Sequence, residues 1–136
     1  MTDKIHLIVL TPYCRYFEGN IDFLEVHSEK YNLGILPNHA PLISTVEVSK
    51  MIIRVSKSEM IYAVGGGIIN VERDKTTLIL NSIERSDEID VARAQEAKKR
   101  AEQRLSSKDD TVDVNRAKAA LLRATNRIQI YSSKNR

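Results

Sequence analysis

The sequence predicts an α+β protein that is mainly β: an N-terminal antiparallel β-sandwich over residues 1–84, then an antiparallel two-helix hairpin over residues 85–136. Up to residue 81, apolar residues alternate or form short runs, which is typical of strands. After Ser82 they recur at spacings of three and four, as on one face of a helix. No glycine or proline occurs from residue 87 to residue 136. The length suits one compact domain with a helical appendage rather than two full-sized domains.

Short apolar segments predict eight or nine strands, which recur about every ten residues, as in a sandwich or barrel. Turn-forming residues separate them at 18–20, 37–38, 57–58 and 73–75. No helical segment interrupts them, which argues against a parallel βαβ architecture. The apolar segments are residues 5–9, 21–23, 24–26, 33–35, 42–43, 51–55, 61–63, 68–71 and 78–80.

Two helices are predicted in the C-terminal part. The first covers about residues 87–105, and Asp87, Glu88 and Asp90 lie at its N-terminus, where carboxylates interact favourably with the helix dipole. Residues 106–111 interrupt the pattern, and the second helix begins near Asp113. The two apolar stripes are predicted to pack together: Ala94, Ala97, Ala101 and Leu105 against Val114, Ala117, Leu121, Ala124, Ile128 and Tyr131. Because alanine buries little area, we expect a marginally stable and therefore movable hairpin.

The charge is unevenly divided between the two parts. Residues 1–84 hold 8 Lys and Arg against 10 Asp and Glu, whereas residues 85–136 hold 13 against 8. A basic C-terminal part indicates an acidic partner or an anionic ligand, with nucleic acid as a rival. With no Trp and 5% aromatic residues, base stacking is not favoured, and nucleic acid is not expected as a partner.

No membrane-spanning or targeting segment is recognisable in the sequence. The uncharged stretch at residues 60–70 is about half the length of a spanning helix. The first nine residues lack the apolar core of a signal peptide. We therefore expect a soluble protein that is neither exported nor imported into an organelle.

The residue types that carry catalysis do not form a recognisable set. Cys14 is the one cysteine, and we expect a buried or incidental thiol. His6, His27 and His39 lack metal-ligand spacing. The glycines at 65–67 are not followed by a helix, so close strand packing or a bulge is predicted rather than a phosphate loop. Neither a catalytic site nor a metal site is expected.

Four arginines of the predicted hairpin form two close pairs. Arg93 and Arg100 are seven residues apart and therefore lie on one side of their helix, and Arg123 and Arg127 are neighbours four residues apart. Like charges at this spacing repel, and an anion would relieve the repulsion. Guanidinium groups bind phosphate through two parallel hydrogen bonds. The alternative is that these are ordinary solvated arginines.

Several segments resemble the epsilon subunit family of the rotary F-type ATP synthases. They are LGILPNHAPL at residues 33–42, YAVGGGIINV at residues 62–71, the segment 78–84, and IDVARA at residues 89–94. They lie in the order found in that family, and the resemblance covers essentially the whole chain. In the loop at 33–42, Gly34 and Asn38 are expected to provide positive φ angles, and His39 either fixes the loop through hydrogen bonds or contacts a partner.

The resemblance implies a non-catalytic rotor subunit of a proton- or sodium-translocating ATP synthase. Its expected partners are the gamma shaft, the ring of c subunits, and the alpha and beta subunits. ATP is expected as a regulatory ligand that folds the hairpin, and no cofactor is required. In the extended state the hairpin would inhibit hydrolysis by carrying Arg116, Lys118 and Arg123 towards acidic surface on the beta subunits. The expected location is the cytoplasmic side of a bacterial cell membrane rather than a thylakoid, and the isolated chain is expected to be a monomer.

The alternative function is a free-standing nucleotide-sensing module. The resemblance also assigns residues to two sites. The partner-contact residues, placed at the c-ring, are Glu29, Tyr31, Asn32 and His39. The IDVARA segment is similar to the motif I/L-D-x-x-R-A, through which some bacterial members of the family bind ATP. The nucleotide-binding residues are Glu84, Ile89, Asp90 and Ala94 on the side of the nucleobase and sugar, and Arg93, Arg100, Arg123 and Arg127 towards the phosphates.

Overall fold

The computed structural model describes residues 3–134, which divide into two compact units, the first ending at Arg85 and the second beginning at Ser86. The sequence-based division lies one residue earlier. The first unit contains strands β1 (Ile5–Leu10), β2 (Arg15–Ile21), β3 (Phe23–His27), β4 (Asn32–Ile35), β5 (Leu42–Val55), β6 (Ser58–Val71), β7 (Thr76–Leu80) and β8 (Ile83–Arg85). The second contains a 3₁₀ helix (Ser86–Glu88) and the helices α1 (Val91–Ser106) and α2 (Val114–Lys134).

The strands are hydrogen-bonded in the order β2-β1-β7-β6-β5-β3-β4, and β8 also pairs with β6. Among the described residues, every pairing is antiparallel except that of β1 with β7, which is parallel. The predicted β domain followed by two helices is confirmed. The prediction that all strand pairs are antiparallel needs one correction, the parallel pair of β1 and β7. Five other strands lie between β1 and β7 in the sequence, so this parallel pair needs no helical crossover.

The two longest strands, β5 and β6, run antiparallel in one unbroken register from Leu42 opposite Val71 to Val55 opposite Ser58. The sequence predicts four separate short strands here. The other side of β6 pairs first with β8 and then with β7, and between them the Gly65 amide donates to the Ser82 carbonyl oxygen at 2.9 Å. The glycines therefore lie inside a long strand instead of ending one.

Close packing explains the triple glycine, as predicted. A Cβ atom on Gly67 would lie 1.9 Å from the carbonyl oxygen of Ile79, and one on Gly65 would lie 2.2 Å from the Ser82 hydroxyl. Gly66 has a φ of +86°, which side chains other than glycine rarely adopt. The strand continues to Val71 without an intervening helix, so these amides do not form a phosphate loop.

The turn predicted at residues 18–20 is wrong, because these residues form part of β2. Gly19 pairs with Leu7 of β1, and Glu18 pairs with Ile8. This strand lies at one end of the strand order, where polar residues can face solvent, so it lacks the apolar alternation of an inner strand.

The core of the first unit draws apolar side chains from most of its strands. In β1 every second residue, Ile5, Leu7 and Val9, is buried, as the predicted alternation requires. The other buried members of the core are Ile21, Leu24, Val26, Leu33, Ile35, Val46, Met51, Ile53, Tyr62, Val64, Ile69, Val71, Leu78 and Leu80.

In the second unit, α1 and α2 pack against each other and are joined by residues 107–113. Asp87 and Glu88, predicted in the first turn of the helix, lie instead in the separate 3₁₀ helix. The packing seam matches the predicted alanine stripe, with Ala94 and Ala101 buried on α1 and Ala117 and Ala124 buried on α2. At the ends of the stripe the prediction is less accurate, since Val114 is 49% exposed whereas Ile130 is buried. No helix among the described residues is long and apolar enough to span a bilayer.

Candidate functional site

The IDVARA segment forms the entrance to α1. The Asp90 side chain accepts a hydrogen bond from the backbone N–H of Arg93 at 3.0 Å, and its carbonyl oxygen accepts one from Ala94 at 3.0 Å. This is the geometry of an N-cap, which places a carboxylate at the positive end of the helix dipole. Ile89 and Ala94 are buried. Three of the predicted nucleotide-binding residues therefore also have a structural role in starting and packing the helix.

The four predicted phosphate-binding arginines all lie beside the seam, the stripe of buried alanines along which α1 and α2 pack. Arg93, Arg100 and Arg123 each directly precede a buried alanine. Because successive residues of a helix are about 100° apart, each of these arginines lies about 90–110° from the seam, rotated in the same direction. Arg127 follows Ala124 by three residues and lies on that side too. In an antiparallel pair, equal offsets from the facing stripes point to the same side. The hairpin therefore presents all four arginines on one side.

Arg93 and Arg127 also lie at the same distance from the loop that connects the two helices. Arg93 lies 13 residues before Ser106, the last residue of α1, and Arg127 lies 13 residues after Val114, the first residue of α2. Each is therefore about 20 Å from the connecting loop. Arg100 and Arg123 lie between this level and the loop. The four guanidinium groups can thus converge on one elongated anion.

Their exposure suits an electrostatic role. Arg93 and Arg100 are exposed, and Arg123 and Arg127 are half-buried. Within residues 3–134, the ion pairs of Lys and Arg side chains do not include Arg93, Arg100 or Arg123. The four arginines outnumber the neighbouring carboxylate of Glu96, which lies four residues before Arg100 on α1, and this excess raises the local positive potential and favours an anionic ligand.

Glu84, the remaining predicted nucleotide-binding residue, belongs to the first unit. It lies in β8 opposite Ala63 of β6 and is half-buried. The other seven predicted residues all lie in the second unit.

The predicted partner-contact residues lie at the two ends of β4. Glu29 and Tyr31 belong to the turn between β3 and β4, and Asn32 is the first residue of β4. A hydrogen bond from the Ser28 amide to the Tyr31 carbonyl oxygen at 2.9 Å closes the turn. Tyr31 is 54% exposed, and the Asn32 side chain accepts a hydrogen bond from His27 Nδ1 at 2.5 Å. These three residues form one surface.

His39 follows the opposite end of β4. Its backbone amide donates to the Leu36 carbonyl oxygen at 3.2 Å, and its Nδ1 lies 2.7 Å from the Ala40 carbonyl oxygen, so its side chain fixes the loop. The expected positive φ occurs at Asn38, with a value of 68°, whereas Gly34 is part of β4 and is not among the residues with positive φ. His39 is therefore not adjacent to the turn that carries Tyr31.

One exposed apolar surface was not predicted as a site. Ile43, Ile68 and Ile79 are 73%, 48% and 53% exposed, and they lie on the neighbouring strands β5, β6 and β7. Ile68 is directly opposite Ile79, and Ile79 is opposite Leu10 of β1. A signal is present in the sequence, because adjacent apolar residues at 42–43 and 68–69 require one of each pair to point outwards. We call Leu10, Ile43, Ile68 and Ile79 the isoleucine surface.

Candidate chemical groups elsewhere are few. Cys14 is exposed in the turn between β1 and β2, so it is not a buried thiol. Within the described part of the chain, His, Cys, Asp and Glu side chains do not form any group of three that could hold a metal ion. A small cleft of about 50 Å³ beside the His39 loop is lined by Lys4, Arg73 and Lys75, and also by Glu72 and Asp74, so its charges largely balance.

A β-sandwich unit followed by an arginine-bearing helical hairpin is the architecture of a two-domain rotary ATPase subunit, and the family comparisons agree. Residues 4–86 match the family described as ATP synthase, Delta/Epsilon chain, beta-sandwich domain. Residues 87–132 match ATP synthase, Delta/Epsilon chain, long alpha-helix domain. The chain belongs to the epsilon-chain family of F-type ATP synthases, which confirms the resemblance inferred from its motifs.

Individual relatives support this membership. The chain is 42% identical to the ATP synthase epsilon chain of Priestia megaterium over 106 residues, covering 78% of this chain and 79% of that protein. It is 41% identical to the epsilon chain of Pelotomaculum thermopropionicum over 109 residues, covering 79% and 81%.

Two solved structures share the fold at low sequence identity. A chain of the Euglena gracilis mitochondrial ATP synthase OSCP/F1/c-ring structure superposes with a TM-score of 0.81 at 14% identity, covering 100% of this chain and 84% of that one. A chain of the Tetrahymena thermophila mitochondrial ATP synthase central stalk/c-ring structure gives 0.59 at 16% identity, covering 99% and 100%.

Proposed function

We propose that this chain is a non-catalytic central-stalk subunit that links the gamma shaft to the c-ring and inhibits ATP hydrolysis through a mobile hairpin, which folds when ATP binds. The observation that carries the proposal is the placement of Arg93, Arg100, Arg123 and Arg127 on one side of an alanine-seamed hairpin. The curated bacterial relatives are named ATP synthase epsilon chain, which supports the assignment to the rotor. The subunit would lie at the cytoplasmic side of a bacterial cell membrane.

The energetics of the hairpin suit a ligand-controlled switch. Its seam buries mainly alanine side chains, so closing the two helices gains little hydrophobic free energy. A ligand held only by the folded state contributes RT ln(1 + [L]/Kd), about 2.7 kcal/mol at a hundredfold excess over Kd. This contribution is large enough to decide between a folded hairpin and one extended along the stalk. ATP acts here as a regulatory ligand rather than a cofactor.

Two surfaces of the β unit are suited to the rotor partners. The isoleucine surface is apolar and exposed, which is typical of a protein interface, and we assign it to the gamma shaft. The surface formed by Glu29, Tyr31 and Asn32 presents an exposed aromatic ring among polar groups, and we assign it to the c-ring. Because His39 follows the opposite end of β4, we assign its side chain to fixing the loop rather than to c-ring contact. In the extended hairpin, Arg116, Lys118 and Arg123 would meet acidic surface on the beta subunits.

The ATP site is tested by titrating ATP into the isolated chain while the distance between spin labels or dyes on α1 and α2 is followed. Arg123→Ala and Arg127→Ala are each expected to weaken binding by about tenfold or more, because each removes charge-assisted hydrogen bonds to phosphate. Lys118→Ala is the matched control, since it removes one exposed positive charge on the other side of the hairpin. Unchanged affinity in both arginine variants would refute the site.

The rival function is a free-standing nucleotide-sensing module. It predicts the same response to ATP but no association with a rotor. Ile43→Ser and Ile79→Ser should reduce co-purification with the gamma subunit if the rotor assignment holds, and the isolated chain should keep its thermal stability because both side chains are exposed. Binding to ATP together with a complete absence from the membrane ATPase would favour the free-standing module.

A further inference from the structure

The two helices of the hairpin carry the same arginine pattern. Arg-Ala, five residues, Arg-Ala, two residues and Arg begins at Arg93 in α1 and again at Arg116 in α2. The four alanines of the two patterns are the buried alanines of the seam. Each helix therefore holds three arginines at the same angles to the seam: Arg93, Arg100 and Arg104 on α1, and Arg116, Arg123 and Arg127 on α2.

These six arginines form three pairs along one side of the hairpin, and we call them the arginine ladder. Arg104 lies two residues before the end of α1 and Arg116 two residues after the start of α2, so they form a tip pair beside the connecting loop. Arg93 and Arg127 form the base pair, and Arg100 with Arg123 lies between. From tip to base the ladder is about 16 Å long.

The tip pair opens onto its own cleft. An open cleft of about 360 Å³ is lined by Arg104 and Arg116 with Thr111, Val112 and Asp113. The Asp113 side chain accepts a hydrogen bond from the backbone N–H of Arg116 at 3.1 Å, so that carboxylate is engaged in starting the helix. Both arginines are exposed, and the ion pairs found within residues 3–134 do not involve them. The tip cleft is therefore lined by two positive charges and one negative charge, and it has space for an anion.

We propose that the arginine ladder binds a linear inorganic polyphosphate longer than the triphosphate of ATP, with phosphates along all three pairs. The inference extends the proposed ATP site, which uses the base and middle pairs. Because the pattern repeats with local two-fold symmetry, the tip and middle pairs form an equivalent half. A nucleotide whose base lies near Ile89 and Asp90 directs only three phosphates along the ladder. A longer chain continues to Arg104 and Arg116, where guanidinium forks bind further phosphate oxygens.

The test compares affinities of the full chain for tripolyphosphate and for a size-fractionated polyphosphate several times longer. The long chain is expected to bind about tenfold tighter or more, since it gains charge-assisted hydrogen bonds at one further pair. Arg104→Gln combined with Arg116→Gln should remove this preference. Lys99→Gln combined with Lys118→Gln changes the net charge equally, away from the ladder, and should keep it. All four side chains are exposed, so both variants should fold, which circular dichroism checks.

Three results would overturn the inference: no preference for the long chain, an equal loss in both double variants, or equally tight binding of polyglutamate with the same dependence on Arg104 and Arg116. The last would identify an acidic peptide as the occupant. The two proposals fail separately. If ATP does not bind but the chain-length preference depends on the tip pair, the ladder stands without the ATP switch. If ATP binds and the preference is absent, only the ladder is refuted.

Discussion

Gly67→Ala tests whether the glycine run is required by packing. The new Cβ atom would lie 1.9 Å from the Ile79 carbonyl oxygen, also within 2.9 Å of the Ile79 carbonyl carbon. Favourable contacts are about 3.5–4.0 Å, so β6 and β7 would have to separate by roughly 1.5 Å. Because Gly67 pairs with Leu80 and Leu80 is buried, this separation would disturb the core.

The expected cost is about 3 kcal/mol, at the upper end for overpacking, because backbone rather than a flexible side chain must move. A unit of this size has a free energy of unfolding of about 4–13 kcal/mol. At about 4–8 °C per kcal/mol, the midpoint of thermal unfolding should fall by roughly 12–24 °C. The sheet signal in circular dichroism measures it.

Gly19→Ala is the matched control. Its Cβ atom would lie 3.3 Å from the far end of the Phe17 ring, which can turn aside, and its strand is at an end of the sheet. This variant should change the free energy of unfolding by less than about 1 kcal/mol. Equal midpoints for Gly67→Ala and Gly19→Ala would show that the close approach of β6 and β7 does not constrain the unit.

Three further predictions concern single positions. Asp90→Ala should destabilise the start of α1 by about 1 kcal/mol while Asp90→Asn largely retains the cap, as measured by amide hydrogen exchange in the first turn. Ala101→Leu should cost about 1–3 kcal/mol by forcing the helices apart, whereas the exposed Ala92→Leu should be nearly neutral in the helical circular dichroism melt. The hydrogen bond from Lys4 holds the pKa of Asp22 below its ordinary value of 3.8. The ionised Asp22 carboxylate therefore stabilises the folded state above pH 3.8, and this stabilisation is lost as the pH falls through the lower pKa of the folded state. The difference in denaturant midpoint between wild type and Asp22→Asn should therefore shrink on acidification, and a constant difference would contradict the assignment.

Local patterns predicted the elements better than their pairing. The alternation around Leu7 and the alanine spacing around Ala101 report directly which side of an element is buried, so these strands and the helical seam were predictable. The parallel contact of β1 with β7 depends on residues about 70 apart in sequence, and local periodicity carries no information on it. The sequence predicts separate strands at 61–63 and 68–71, whereas the structure continues one strand through the glycines, with a positive φ at Gly66 and close backbone packing at Gly67.

The candidate site also has parts that the sequence predicts and parts that only the structure shows. Helical geometry alone places Arg93 with Arg100, and Arg123 with Arg127, since each pair lies on one helix. That both pairs share one side follows from the predicted alanine stripes, and the burial of Ala94, Ala101, Ala117 and Ala124 in the structure agrees with those stripes. The location of His39 beyond the far end of β4 from Tyr31 could not be inferred from the continuous loop motif, because four residues of strand separate them.

The two terminal strands of the sheet have a consequence for the unassembled chain. At one end of the strand order, β4 has only four residues, and at the other, β2 carries the charged pair Arg15 and Glu18, whose side chains meet at 2.6 Å. Short or charged margins are poor templates for another copy's backbone. A cell that makes this polypeptide in excess over its assembly partners should therefore not accumulate the surplus as fibrils.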